Sequence, residues 1–465
     1  MQQLSAMDAV FLSMETPETP SHIGGLAILD PSTTVDFSYT GFIDFIEARL
    51  AVCPRFMWTV QEVPFGLDRP YWVESDGLAP RDQVRRIALP APGGPEELSE
   101  LTGMLFERPL DRNRPLWEMY FIEGIQGGRV ALLWKVHHCL MDGASGAGLT
   151  ELLFDLQPEP AERPLVPVDD NAHAGAPASL SQMAYQAVRN GLELPAAQAR
   201  HLGRALPSLG DLFGSNNAKA AAATPRASFN GKVGTRRAVA WSRISLDDTM
   251  SIKNELGVKL NDVVLAITGG AMRHYLESRS ELPEASLVAS VPVSTRSQDD
   301  KSIGNQISEV NVYWGTDIEC PVSRVSAIHA ASHVAKEDIR AGRGVDFIGL
   351  FSETIVPGAL QLFMRLTASA SESMPLPANA VVSNVRMTPV PVYIAGAKLE
   401  GMVPISLLAP TQGVNITLVS YCGELHFGIT ADPDLLPEPW LLAGAIPKAL
   451  LELQESLSGR QALSA

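Results

Sequence analysis

Apolar residues recur at three-to-four spacing in residues 41–52, where Phe42, Phe45, Ile46 and Leu50 share one face, so the pattern predicts an amphipathic helix there. Residues 130–136 read differently: a short run, apolar except for Lys135, entered from Gly127-Gly128 and too short for a helix, which predicts a buried strand. Helical spacing returns in residues 260–276, entered at Asn261-Asp262, whose short polar side chains suit the orphan N–H groups of a first turn. Residues 287–293, 306–313 and 415–421 read as strands. The longest uncharged stretch, residues 401–423, has the length of a membrane span. Pro404, Pro410, Gln412 and Asn415 would carry unsatisfied polar groups into a bilayer, so buried strands and turns are expected instead.

Strand and helix signals fall on both sides of a break. Pro158, Pro160, Pro164 and Pro167 crowd together and small residues dominate 171–181, which marks a linker. Residues 178–214 permit helix but are interrupted by Gly191, Pro195 and Gly203, with Met183, Val188, Leu192 and Leu202 as an apolar stripe. The expected organisation is an α/β domain over 1–160, a partly helical linker over 161–235 that is basic toward its end, and a second α/β domain over 236–465, the two packed as layers.

Composition narrows the class. With 465 residues, 46% hydrophobic and 19% charged, the chain is a folded protein of two or three domains. Its 36 basic against 52 acidic residues give a net charge of −16, which argues against nucleic acid as the main partner. Residues 216–245 run against that balance, with Lys219, Arg226, Lys232, Arg236, Arg237 and Arg243 and no acidic residue. They read either as a solvated linker face or as a surface for phosphates or lipid headgroups, in which case reversing Arg236 and Arg237 should weaken binding to anionic lipid. Four cysteines without close pairing, and a start lacking the basic-then-apolar pattern of a secretory signal, lead to the expectation of a reducing cytoplasm.

The sharpest local feature is His137-His138-Cys139-Leu140-Met141-Asp142-Gly143, directly after the strand signal. Side chains alternate along a strand, so His137 and His138 should point in opposite directions and one base, not two, should face a cavity. An imidazole is suited to take a proton from a hydroxyl and return it to a leaving group, Asp142 could fix the turn, and Gly143 permits backbone geometry that a Cβ forbids. Two other readings stay open: metal ligation by His137, His138 and Cys139, against which stands the rarity of consecutive residues converging on one ion, and a purely structural histidine pair. No Gly-x-Ser-x-Gly elbow, dinucleotide fingerprint or P-loop is present.

The His137 to Gly143 motif resembles that of the chloramphenicol acetyltransferase-like superfamily, which includes peptide-synthetase condensation domains. Further blocks are similar to the bacterial wax ester synthase/acyl-CoA:diacylglycerol acyltransferase family nearly end to end: Leu4-Ser5-Ala6-Met7-Asp8-Ala9-Val10-Phe11-Leu12, Arg114-Pro115-Leu116-Trp117-Glu118, Leu260-Asn261-Asp262-Val263-Val264, Val291-Pro292-Val293-Ser294-Thr295-Arg296 and Gly304-Asn305-Gln306. The resemblance implies two chloramphenicol acetyltransferase-like α/β domains with a substrate tunnel between them. It implies acyl transfer from acyl-CoA to diacylglycerol, giving triacylglycerol, or to a long-chain alcohol, giving wax ester. No cofactor and no metal are expected, acyl-CoA being a co-substrate. His138 takes the role of general base, His137 and Gly143 that of motif support, and Asp142 a structural role paired with an arginine, for which Arg296 is the candidate. Asn261 is the candidate oxyanion donor or tunnel residue, with helix capping as its alternative role. Trp117, Glu118, Ser294, Thr295 and Asn305 are expected to pack or brace. Peripheral contact with the inner membrane face or a lipid droplet follows from the substrates. Transfer to another complex-lipid alcohol, or a catalytically silent lipid-binding protein, are the alternatives. One departure stands out: where the family commonly has Asn-Val-Pro-Gly-Pro, this chain reads Ser383-Asn384-Val385-Arg386-Met387-Thr388-Pro389, which changes the turn chemistry.

Overall fold

The computed structural model of the protein describes residues 2–51, 53–75, 77–140, 152–159, 177–192, 224–294, 307–340, 355–370 and 376–464. Asp142, Gly143, Thr295, Arg296, Asn305 and Lys219 lie outside the described residues.

The predicted strand forms as β7 (Arg129–His137), central to a six-stranded sheet. It is flanked by β6 (Trp117–Ile125) and β2 (His22–Asp30), with β5 (Val84–Ala88) on one edge and β13 (Ala397–Ile405) and β12 (Tyr393–Ile394) on the other. Alternation sorts β7 cleanly. Val130, Leu132 and Val136 enter one apolar cluster with α2 (Tyr39–Leu50), while Ala131 and Leu133 enter another on the face covered by α3 (Pro95–Phe106). Both faces are buried, which is why the run reads as nearly continuous apolar sequence. Helix α2 begins two residues before the predicted start because Ser38 caps it, its Oγ accepting from the Gly41 N–H at 3.2 Å. Its Phe42, Ile46 and Leu50 are buried on the sheet, each such side chain contributing about 1.5–3 kcal/mol.

A second six-stranded sheet runs β10 (Ile307–Tyr313), β9 (Val288–Ser294), β11 (Ala380–Arg386), β14 (Val414–Tyr421), β15 (Glu424–Ala431) and β8 (Ala238–Ser245). The pairs made by β11 are parallel and the others antiparallel, so both sheets are mixed: β5 also runs parallel to β6 in the first. The predicted long helix forms as α5 (Leu260–Ser278), preceded by α4 (Leu246–Leu256), and with α6 (Pro321–Arg340) and α8 (Pro439–Ser464) it buries the largest apolar cluster against this sheet. Residues 401–423 form the end of β13, a turn and β14, as their prolines and amides require. Among the described residues no helix is long and apolar enough to cross a membrane.

The two halves share strands rather than simply abutting. Strand β13 comes from the C-terminal half but pairs along β2 from Lys398↔Asp30 to Ile405↔Gly24, completing the N-terminal sheet. It also lies against β15, where Gly428 is required because a Cβ there would collide with the Pro404 carbonyl oxygen. On the other side, α3 docks on β8, with Ser99 Oγ donating to the Val239 carbonyl.

Among the described residues of the basic stretch, Arg226 and Lys232 are exposed, and Arg236, Arg237 and Arg243 have partners. Arg236 pairs with Asp434, and Arg243 lies 3.5 Å from Glu424. Arg237 is buried, its guanidinium donating to the carbonyls of Gly234, Arg236 and Glu18. The absence of acids nearby in sequence misled, because the partners are brought in from β15 and the segment after it.

Candidate active site

The site is assembled at the end of β7. The last strand hydrogen bonds hold His137, whose N–H donates to the Leu116 carbonyl at 2.9 Å, and His138, whose N–H donates to the Ser21 carbonyl at 2.8 Å. The chain then turns, with Leu140 N–H donating to the His137 carbonyl at 2.9 Å and Cys139 N–H donating to His137 Nδ1 at 3.2 Å. An Nδ1 that accepts leaves Nε2 as the protonated nitrogen of a neutral His137, and that nitrogen lies 3.7 Å from Glu15 Oε1. His137 is thus buried and engaged, whereas His138 is half-buried, as alternation requires of neighbours at a strand end.

Helix α1 (Ala6–Met14) supplies the surroundings. It is capped by Ser5, whose Oγ accepts from the Asp8 N–H at 3.1 Å, and this fixes the phase of the residues that follow. One face presents Phe11, stacked on the His138 imidazole at 3.9 Å between centroids and 15° between planes. Asp8 is buried and pairs with Arg55 at 3.1 Å, and the same guanidinium donates to the Cys139 carbonyl at 3.3 Å and lies over the Trp72 ring. Just past the helix, Glu15 accepts from Arg112 at 2.7 and 3.1 Å and from the Ser21 N–H at 3.2 Å. Burial would raise the Glu15 carboxyl, but His137 and Arg112 outweigh it and bring it down to about 2. Arg112 also reaches Glu62 at 2.6 Å and the Leu12 carbonyl at 2.8 Å, so one guanidinium ties the helix end to two further segments.

A buried polar row continues on the α3 face of the sheet. Lys135 is fully buried, its Nζ donating to the Leu105 and Arg108 carbonyls at 2.9 and 2.5 Å, and burial lowers its pKa to about 8. His22 Nε2 meets the Phe106 carbonyl at 2.7 Å, and burial together with Lys135 holds its pKa well below the usual value, so it is neutral. Cys139 is completely buried and its thiol pushed well above its usual range by burial, which makes it neither nucleophile nor thiolate ligand. Among the described residues no group of His, Cys, Asp and Glu is arranged to hold a metal. Trp117 is buried with Nε1 donating to the Phe56 carbonyl at 2.6 Å, and Glu118 accepts from Tyr120 at 2.5 Å: both pack and brace.

Asn261 stands at the start of α5 and does not cap it. The N-cap position is Lys259, and Asp262, three residues on, closes the first turn: its Oδ2 accepts from the Lys259 N–H at 3.0 Å and is met by His329 Nδ1 at 2.6 Å. Asn261 instead accepts at Oδ1 from Asn384 Nδ2 at 2.8 Å, leaving its amide NH2 as the donating group. Asn384 belongs to the segment where this chain departs from the Asn-Val-Pro-Gly-Pro pattern, so that departure lies directly beside the α5 entrance. The residues that sequence reading missed are Phe11, Glu15, Arg55, Arg112 and Asn384. The Ser-x-x-Asp cap at Ser5 was a signal for α1, but no local pattern ties its face to residues more than a hundred positions away.

Residues 4–264 match the family model of the wax ester synthase/diacylglycerol acyltransferase catalytic domain, and residues 303–454 the WS/DGAT C-terminal domain. The chain is 35% identical over 465 residues to a putative diacylglycerol O-acyltransferase of Mycobacterium tuberculosis, covering 98% of this chain and 90% of that one. It is 31% identical over 472 residues to a probable diacylglycerol O-acyltransferase of the same organism, covering 98% and 100%. The solved wax ester synthase/diacylglycerol acyltransferase from Marinobacter aquaeolei VT8 superposes with a TM-score of 0.71 at 27% identity, covering 97% of this chain and 99% of that one. The first condensation domain of the calcium-dependent antibiotic synthetase shares the fold alone, with a TM-score of 0.56 at 17% identity and coverage of 97% and 95%. The expected fold of two chloramphenicol acetyltransferase-like α/β domains holds, and the chain belongs to the wax ester synthase/diacylglycerol acyltransferase family.

Proposed function

We propose that the protein is an acyl-CoA-dependent O-acyltransferase that makes triacylglycerol from diacylglycerol, with long-chain alcohols as second acceptors giving wax ester. The names of the relatives support the activity, and the observation that carries the chemistry is the setting of His138. Of the two histidines it is the one left partly open, with its ring held flat against Phe11 and its neighbour locked into the turn.

In this reading the His138 imidazole takes the acceptor hydroxyl proton as that oxygen attacks the thioester carbonyl. The tetrahedral oxyanion accepts from the Asn261 NH2, which Asn384 orients by holding the carbonyl end of the amide. Collapse expels the CoA thiolate, which takes the proton back from His138, so ester and free CoA leave and the base is regenerated. Glu15, Arg112 and Arg55 touch no reacting atom: they fix the backbone on which His138 stands. Asp142, Gly143 and Arg296 keep the supporting roles that the family resemblance assigns them. The substrates place the enzyme peripherally at a membrane or lipid droplet. A silent lipid-binding protein has no use for an open, stacked imidazole, which favours the enzyme.

The test is product formation by purified protein from labelled palmitoyl-CoA with diacylglycerol or hexadecanol, beside His138→Ala. Loss of about 10²–10⁴ in rate with an unchanged thermal melt is expected. Activity that survives the substitution would remove His138 as base, and absence of both products would move the acceptor to another lipid alcohol.

A further inference from the structure

Among the described residues, several of the exposed large apolar side chains lie together on segments 61–71 and 180–192. The helical segment 180–192 lies on the strip 61–71, with Met183 buried beside Val63 and Tyr71, and Asn190 Nδ2 donating to Asp68 Oδ2 at 2.8 Å. At its start the Gln61 amide is bonded to both the N–H and the carbonyl of Ala178. The opposite face carries Tyr185, Val188 and Leu192, exposed by 67, 65 and 77%, and Leu180 on the first turn is exposed by 71%. The loop beneath projects Phe65, 93% exposed, from a backbone φ of 60°. Next to it Gly66 backs onto Gly358 at the start of α7 (Pro357–Ala370), so closely that a Cβ would sit 2.6 Å from the Gly358 Cα. Helix α7 exposes Leu362 and packs on α1, the helix that sets Phe11 against His138.

Monomeric surfaces seldom leave so many large apolar groups together without a use. The charge pattern favours a lipid surface as that use. Segment 180–192 holds no carboxylate and one cation, Arg189, in a chain with 52 acids against 36 bases. The nearby Asp68 is turned inward to Gln3 and Asn190. Among the described residues the segment offers no carboxylate to repel anionic headgroups, and a packed amphipathic helix beside a projecting phenylalanine suits the boundary between headgroups and acyl chains. We propose that segment 180–192 and the Phe65 loop form the surface by which the protein seats itself on a phospholipid bilayer, bringing α1 and its site to the membrane. The choice of occupant rests on the proposed function, since the acceptor hydroxyl belongs to a membrane lipid. Attachment is then chiefly apolar, because Arg237 is buried with its guanidinium on backbone carbonyls and Arg236 is paired at the surface with Asp434.

The experiment is flotation of the full-length protein with phosphatidylcholine vesicles, with and without phosphatidylglycerol, at low and high salt. Tyr185→Ser/Val188→Ser/Leu192→Ser and Phe65→Ser change only exposed side chains. The triple variant should partition about ten-fold more weakly or worse, with an unchanged melt, and the parent should bind with little salt dependence. Arg236→Glu should bind like the parent. Partitioning of the triple variant equal to the parent overturns the proposal, as does a parental dimer that the triple variant splits without any change in vesicle binding. Acyl transfer to a detergent-dispersed alcohol is assayed alongside. A protein that floats through this surface but transfers nothing supports the surface and defeats the functional reading, while one that transfers but does not float does the reverse.

Discussion

An imidazole acting as a base must keep its ring plane and its basic nitrogen where the proton is, and Phe11 supplies a constraint on the ring plane of His138 from outside the motif. The parallel stack on His138 is worth about 0.5–1.5 kcal/mol beyond area burial. Phe11→Leu should therefore lower kcat roughly two- to ten-fold with KM little changed, and Phe11→Tyr should restore it, as steady-state kinetics will show. Glu15 makes a different prediction. Its pKa in the folded protein, about 2, lies below its ordinary value of 4.5, so the unfolded chain binds the proton first as pH falls. The stabilisation, about 2–3 kcal/mol, is complete above that ordinary value and is lost as pH drops toward the folded one. Urea titrations of Glu15→Gln should show lower stability at neutral pH and a flatter slope across acid pH than the parent. The histidines were legible in the sequence because a rare motif followed a strand signal. Glu15 and Arg112 were not, since a pair formed across 97 positions leaves no local pattern.

At the scale of elements, the segment 152–159 that follows the motif is fastened by one buried pair. Arg49 on α2 donates to both Asp155 oxygens at 2.6 and 2.7 Å, and the Asp155 backbone bridges Tyr393 on β12. Arg49→Met strands a carboxylate in the core and should cost about 3–5 kcal/mol, whereas Arg49→Met/Asp155→Leu should recover most of it, measured by chemical denaturation. Elements with strong periodicity, such as α2, β7 and α5, were legible to within a few residues, and the error at α2 traces to the Ser38 cap. Strand β2 was not read, because Gly24 and Gly25 interrupt its apolar pattern; both are used for close contact with Trp134 on β7. The helical role of Asn261 was half legible: the helix entrance was seen, but the side chain that bonds back to the N-cap Lys259 is that of Asp262, and Asn261 spends its carbonyl on Asn384.

For the whole molecule, two α/β layers were legible from alternating strand and helix signals, but the passage of β12 and β13 into the N-terminal sheet was not, because pairing of Asp30 with Lys398 has no neighbourhood in sequence. A fragment of residues 1–235 would present β2 as an open edge beside the apolar side chains that Val403 and Ile405 cover. Such a fragment should aggregate when expressed alone and become soluble when residues 236–465 are co-expressed, as sedimentation of the two preparations would establish. The same late-arriving strand sets a clock during synthesis. The edge of β2 leaves the ribosome roughly 370 residues before its partner β13 exists. At translation rates of about 5–20 residues per second, the N-terminal sheet waits roughly 20–70 s with that edge bare. The half of the chain made first, with β7 leading directly to His138, cannot complete its sheet until residues 397–405 are made, and a nascent-chain chaperone has its longest opportunity in that interval.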